Sequence, residues 1–476
     1  MSNTQGMSAK ERILSLLDAS SFVETGALVT KRNTDFNMME QSVPSDGVIT
    51  GYGLIENRPV YVYSQNAKAL AGSIGEMHAK KIVAVYEMAM KVGVPVIGLI
   101  DCAGLRLQEA TDALAGFGEI YKVKSDASGV IPQISAVFGN CGGGVAVMTA
   151  LSDYTFMEAE HAKLFVNSPN TLDGNCTEKC DTASAAYQAA NGLVDFVGEN
   201  EEAVLTQIRT LCGLLPDNNA QAAMGADTED DLNRLVSGFD SADPAVSLAE
   251  LSDGNVFVEV KAAYAKEMVT GFITLDGMTV GAVANRSELY DAEGNCVEKY
   301  DARLTTAGCK KAASFVKKCD AFNIPVLTLT NTEGYAATME EEASIGMAAA
   351  ELTYAFAQAD VPKVNVITKN AYGSAYVTMN SKHIGADMVF ALSTAKIGMM
   401  DANLAAKIMY ADNKDADVDK IASEYESVQA SADSAAKRGY VDAIIDSADA
   451  RKQLVYAFGM LSSKSEYPLT RKHGTV

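Results

Sequence analysis

The chain has 476 residues, 48% of them hydrophobic, and a formal net charge of −22. That length exceeds one ordinary core, so two large domains are expected, and the acidic balance excludes a nucleic-acid binder or a protein drawn to anionic membranes. Eight cysteines, at 102, 141, 176, 180, 212, 296, 309 and 319, lack paired CxxC spacing, and no basic-then-apolar leader follows Met1; both point to reduced thiols and a cytoplasmic location.

In chain order, residues 10–17 read as a helix. Residues 47–55 and 58–63 read as two hairpin strands with Glu56-Asn57 in the turn. Residues 82–91 have helical apolar spacing that stops at Gly93 and Pro95, and 95–100 form a continuous apolar strand. A further helix is expected around 110–125. The apolar run 131–138 then meets Gly139, Gly142, Gly143 and Gly144, which reads as a buried strand, a tight turn and a helix from about Val145. Residues 127–152 carry no charge, but Pro132, Gln133, Asn140 and five glycines exclude a membrane span.

The sequence repeats itself. Asp18-x-x-x-Phe22-Val23-Glu24 recurs as Asp253-x-x-x-Phe257-Val258-Glu259, and Thr50-Gly51 and Val60 recur as Thr270-Gly271 and Val280. Pro95-Val96, Leu99 and Gly104 recur as Pro325-Val326, Leu329 and Gly334; Pro132, Asn140, Gly143 and Val147 recur as Pro362, Asn370, Gly373 and Val377. Ordered matches at nearly one offset imply duplication. Two similar α/β domains are therefore expected, over 1–230 and 245–476, with a linker in the polar stretch 218–243. The second copy carries its own turn, Ala371-Tyr-Gly-Ser-Ala375, after an apolar strand at 361–368.

Both turns leave backbone N–H groups at a helix start, a place that accepts anionic oxygen as readily as it serves plain packing. Neither GxGxxG nor GxxxxGK[ST] is present. Cys176 and Cys180 have no second Cys/His pair at zinc-finger spacing, so no metal is expected. Cys141 reads as small buried filler. A lone His78 is usually structural, although Lys80 and Lys81 beside it suit a phosphate. Arg106, Gln108 and Glu109 follow a buried strand, where α/β sheets place ligands. Lys91 ends an amphipathic helix and so is not a biotin-bearing hairpin tip.

Several stretches together carry a resemblance: Asp46-Gly-Val-Ile-Thr-Gly51, Gly72-Ser-Ile-Gly-Glu-Met-His78, Gly104-x-Arg106-x-Gln-Glu109, Ser128-Gly-Val-Ile-Pro-Gln-Ile-Ser135, Ala371-Tyr-Gly-Ser-Ala-Tyr376 and Arg438-Gly-Tyr-Val-Asp442. Over nearly its whole length the chain resembles the carboxyltransferase subunit of biotin-dependent acyl-CoA carboxylases and decarboxylases, of the propionyl-CoA carboxylase β type. The resemblance implies two tandem crotonase-like domains, and active sites at a dimer interface within a hexamer. It implies an acyl-CoA substrate, and biotin on a separate carrier protein with a biotin carboxylase or membrane decarboxylase subunit as a further partner.

By the same resemblance, the N–H groups of Gly143 and Gly144 form one oxyanion hole and those of Ser374 and Ala375 a second. Tyr372, Gly373, Tyr376 and Val377 are implied at the biotin, with Val377 also shaping an apolar acyl pocket. Gly72, Gly75, His78, Lys80, Gly104, Arg106 and Gly142 are implied at the acyl-CoA. The chain departs from the family pattern at Ser374, a glycine elsewhere, and at Cys102-Ala-Gly-Leu-Arg106, Asn331-Thr-Glu-Gly-Tyr335 and Met400-Asp401-Ala402. A biotin-independent hydratase or hydrolase is the rival enzyme; it needs a carboxylate base, for which Glu119 on a neighbouring helix is the candidate. A non-catalytic scaffold is the third reading.

Overall fold

The computed structural model describes residues 6–32, 43–173, 181–221, 228–413 and 416–465. The chain divides into two units, Met1–Gln221 and Ala222–Val476. The first holds β1 (Val23–Thr25), β2 (Val48–Ile55), β3 (Arg58–Gln65), β4 (Val96–Cys102), β5 (Gln133–Gly142), β6 (Tyr154–Glu158), β7 (Lys163–Phe165) and β8 (Phe196–Gly198). They pair in the order β1-β2-β3-β4-β5-β6-β8, with β7 against the far end of β5.

The second unit begins its sheet with β9 (Val258–Val260), β10 (Met268–Leu275) and β11 (Met278–Asn285). There follow the hairpin β12 (Glu288–Tyr290) and β13 (Cys296–Lys299), then β14 (Arg303–Leu304), β15 (Val326–Thr332) and β16 (Gly334–Tyr335). Last come β17 (Lys363–Tyr372), β18 (Met388–Leu392), β19 (Lys396–Gly398) and β20 (Ala443–Ile445). Read from β9, the order β9-β10-β11-β15-β17-β18-β20 with β19 on β17 repeats that of the first unit strand for strand. The duplication read from the sequence is thus a duplication of fold. Each sheet opens with an antiparallel hairpin and continues in parallel, as expected when helices return the chain behind it.

The repeated residues repeat for physical reasons. A Cβ on Gly51 would stand 2.2 Å from the Val23 carbonyl oxygen, and one on Gly271 would stand 2.4 Å from that of Val258; only glycine lets the edge strand approach. Thr50 Oγ1 donates to Thr25 O at 2.8 Å, and Thr270 Oγ1 to Val260 O at 3.0 Å. Pro132 O accepts from Val96 N, and Pro362 O from Val326 N. In β4 only Asp101 is not fully buried, and each buried Val, Ile or Leu side chain there contributes about 1.5–3 kcal/mol.

Two expectations are corrected. Residues 228–243 are part of the second unit rather than a linker: Val236 and Phe239 are buried in its core, and Val236 N donates to Ala448 O. The helix expected over 82–91 begins earlier, as Glu76–Val92, so His78 lies in its first turn and Lys91 in its last. The uncharged stretch 127–152 folds mainly into β5 and the helix Gly144–Ala150. Among the described residues no helix is long and apolar enough to cross a membrane.

Candidate active site

The first turn is built where β5 runs out between two neighbours, Cys141 opposite Cys102 of β4 and Gly142 opposite Phe165 of β7. Gly143 then takes φ 64 and ψ −130, a backbone that excludes side chains, and the helix Gly144–Ala150 begins. Gly144 is boxed in: a Cβ there would lie 2.8 Å from Tyr121 Oη, which donates to Gly144 O at 2.7 Å. Of the expected donor pair, one member has an internal partner. Gly143 N already donates to Phe165 O at 2.9 Å, so it is spent on the sheet, whereas the N–H groups of Gly144 and Val145 meet no acceptor among the described residues.

Gly104, at φ 120, brings its loop against this turn, its Cβ position lying 3.5 Å from Gly142 O. The same loop is laced to the 72–75 segment, since Ile74 N donates to Gly104 O and Arg106 N to Ile74 O, both at 2.9 Å. Gly72 and Gly75 permit this close packing; side chains would meet Asp101 O at 2.1 Å and Arg106 Nη1 at 2.5 Å respectively.

The expected substrate roles of His78 and Arg106 fail on burial. His78 is fully buried, with Nδ1 2.9 Å from Asp46 O and Nε2 3.2 Å from Gln65 Nε2, so neither ring nitrogen is left for a ligand. Burial, helped by the charge of Arg106, holds its pKa down to about 3. The Arg106 guanidinium is equally enclosed, donating to Asp46 Oδ1 at 2.5 Å, Glu109 Oε1 at 2.8 Å and Ser73 O at 2.8 Å. Both groups lock the loops beside the turn. Lys80 is half exposed and pairs with Glu76 Oε1 at 2.6 Å, whereas Lys81 is buried against Ser45 and Val48, its pKa pushed down to about 8 by burial.

His78 makes a pH prediction. Its folded pKa lies below the unfolded value near 6.5, so the unfolded chain takes up the proton first and stability falls as pH drops below about 6.5. Between pH 7 and 5 His78 alone should cost about 2 kcal/mol. Urea midpoints across that range check this, and His78→Gln should flatten the slope.

The second turn follows the same plan. Tyr372 of β17 lies opposite Gly398 of β19, Gly373 takes φ 61, and the helix Gly373–Thr378 begins. The N–H groups of Ser374 and Ala375 meet no acceptor among the described residues. Ser374 is exposed and Ala375 buried. Burial pushes the Tyr372 hydroxyl up to about 12. Tyr376 stacks edge-on with His383, ring centres 6.2 Å apart, and Val377 packs on the same apolar cluster.

Two of the four departures have local explanations. Asp401 Oδ1 caps the helix Ala402–Met409, accepting from Asn403 N and Leu404 N. Asn331 Oδ1 accepts from Asn370 N, and Glu333 Oε1 from Asn370 Nδ2, tying the altered loop to the strand that enters the second turn. Cys141 is buried filler, as read, its thiol pushed up to about 12 by burial. Glu119 is exposed, two residues from the Tyr121 and Phe117 that pack on Gly144 and so on another face of their helix. Cys176 and Cys180 lie outside the described residues. The sequence reading did not single out Val145, whose N–H is open, or Phe165, whose carbonyl takes the N–H of Gly143.

The family model of the carboxyl transferase domain matches residues 5–476. Among curated relatives, the chain is 37% identical to the methylmalonyl-CoA decarboxylase subunit alpha of Veillonella parvula, covering 99% of this chain and 93% of that one. It is also 37% identical to the propionyl-CoA carboxylase beta chain of Roseobacter denitrificans, with the same coverage. The solved transcarboxylase 12S, a hexamer with methylmalonyl-CoA and methylmalonic acid bound, superposes with a TM-score of 0.91 at 33% identity, covering 99% of this chain and 92% of its own. With two copies of one turn-bearing fold and a family match over nearly its whole length, the chain belongs to the carboxyl transferase domain family.

Proposed function

We propose that the protein moves a carboxyl group between biotin, carried on a separate protein, and the α-carbon of an acyl-CoA. One observation carries this reading: both halves end their central strand in the same glycine turn, and each turn leaves at least two N–H donors open. The N–H groups of Gly144 and Val145 hold the thioester oxygen, which gathers negative charge as the α-carbon becomes an enolate. Those of Ser374 and Ala375 suit a ureido oxygen. Bound biotin supplies the ring nitrogen that accepts or releases the carboxyl. No acid or base is required of the chain; fixed donors aimed at developing charge are each worth about 10²–10³ in rate.

Gly104 and Gly142 border the acyl-CoA in this reading, Lys80 stands as its phosphate contact, and Tyr372, Gly373, Tyr376 and Val377 border the biotin. We further place the chain in a cytoplasmic hexamer that works with a biotin carrier and a biotin carboxylase or membrane decarboxylase subunit. The exposed position of Glu119 disfavours the biotin-independent hydratase.

The test is turnover of malonyl-, methylmalonyl- and glutaconyl-CoA with and without biotin. Loss of the carboxyl from one of them should require biotin and stop on addition of avidin. Turnover that persists without biotin refutes the reading.

A further inference from the structure

The two units differ at one place that bears on binding. In the first, the parallel bridge between Ile74 and Leu105 is followed by Arg106; in the second, Leu304 pairs with Tyr335 in the same way and is followed by Ala336, whose N–H donates to Leu304 O as that of Arg106 donates to Ile74 O. The acidic partners remain. Glu109 Oε2 accepts from Glu76 N at 2.6 Å, and Glu341 Oε2 accepts from Thr306 N at 2.7 Å. Asp46 sits at His78 N, and Glu267 takes the corresponding place beside Gly308, its Oε1 3.1 Å from the Cβ position there and bonded to Thr305 Oγ1.

Where Arg106 fills the first unit, the second has a cavity of about 540 Å³ lined by Glu267, Glu341 and the alanines 265, 307, 336 and 337. Among the described residues neither glutamate forms an ion pair, and Glu341 Oε1, the counterpart of the oxygen that holds Arg106, has no partner. Lys299 at the rim is committed to Glu288 at 2.8 Å, and Arg303, also at the rim, is exposed and pairs with neither glutamate.

We infer that this cavity binds a guanidinium-bearing ligand, an arginine side chain of a partner or a free guanidinium compound. The first unit shows the arrangement at work on a guanidinium, and two carboxylates flanking it give charge-assisted, directional hydrogen bonds. The alanine walls suit the methylene stem of an arginine, while its head reaches the two glutamates. This inference stands independently of carboxyl transfer.

The test uses the full chain and methylguanidinium chloride, read by calorimetry and by the thermal midpoint. Saturable binding with a raised midpoint is expected, weakened about tenfold or more in Glu341→Gln. The double variant Ala336→Arg with Thr305→Gly, which restores the arginine and the glycine opposite it, should melt higher without ligand and no longer bind the probe. N-acetyl-arginine amide separates the sources: tighter binding than methylguanidinium assigns a partner's arginine, weaker binding a free compound. Absence of saturable binding, equal binding of potassium, binding unchanged in Glu341→Gln, or binding seen only after Arg303→Gln would each overturn the inference.

Discussion

Replacing Ser374 by proline is expected to lower the rate of carboxyl transfer about 10²–10³-fold, the scale of one lost oxyanion donor, with the thermal midpoint within a few degrees of the parent. Proline deletes one N–H and fixes φ near −65°, which the first turn of a helix accepts. Ser374 occupies such a position, is exposed, and donates its N–H to nothing among the described residues, so no internal bond is lost. The residue before it is Gly373, which carries no Cβ to clash with the ring. The loss should fall on kcat, because the donor matters most when the opposing oxygen is most charged. Ser374→Gly, which keeps the N–H, should stay within about threefold of the parent, since a single hydroxyl without a partner is worth little. Near-parental kcat in Ser374→Pro would place the donors elsewhere. The first turn offers no equally clean variant, because Gly144 is enclosed by Phe117 and Tyr121.

The second large effect concerns Arg106→Met, expected to destabilise the fold by about 3–5 kcal/mol, as removal of one partner from a buried ion cluster does. Asp46 and Glu109 would be left facing each other, both with fully buried side chains. The Asp46 pKa is already raised by burial against the pull of Arg106; without the arginine it rises further. A carboxyl whose folded pKa exceeds its unfolded value binds the proton more tightly when folded, so this pair should return stability to the variant as pH falls from 7 towards 5, against the loss at His78. The parent should lose stability over that range through His78. Because the variant keeps His78, its urea midpoint should fall less than the parent's between pH 7 and 5, or rise; parallel slopes would show that Arg106 does not neutralise this pair.

Much of the fold was legible because it rests on short-range pattern. Apolar runs after Pro95 and Pro132 became β4 and β5, and the repeated Thr-Gly pair announced a second hairpin before its strands were known. The candidate site was legible in outline only because the repeat supplied a second glycine turn; one such turn alone serves plain packing as readily. What sequence could not supply was contact across distance. Arg106 and Asp46 are 60 positions apart, so an arginine after a strand reads as a ligand contact until its burial is seen. The three residues of β7, with a lysine at their head, carry no periodicity, yet the Phe165 carbonyl takes the Gly143 N–H and moves the open donors to Gly144 and Val145. The stretch before residue 243 reads as polar linker because Val236 and Phe239 are its sparse anchors, buried by a partner helix some 200 residues later.

The most direct measurement is single-turnover transfer of label from [carboxyl-¹⁴C]methylmalonyl-CoA to a biotinylated carrier protein, captured on avidin. The account predicts label on the carrier in proportion to enzyme, with transfer in Ser374→Pro slowed by about 10²–10³. Label that never reaches the carrier, while the CoA ester is consumed at an undiminished rate, would contradict it.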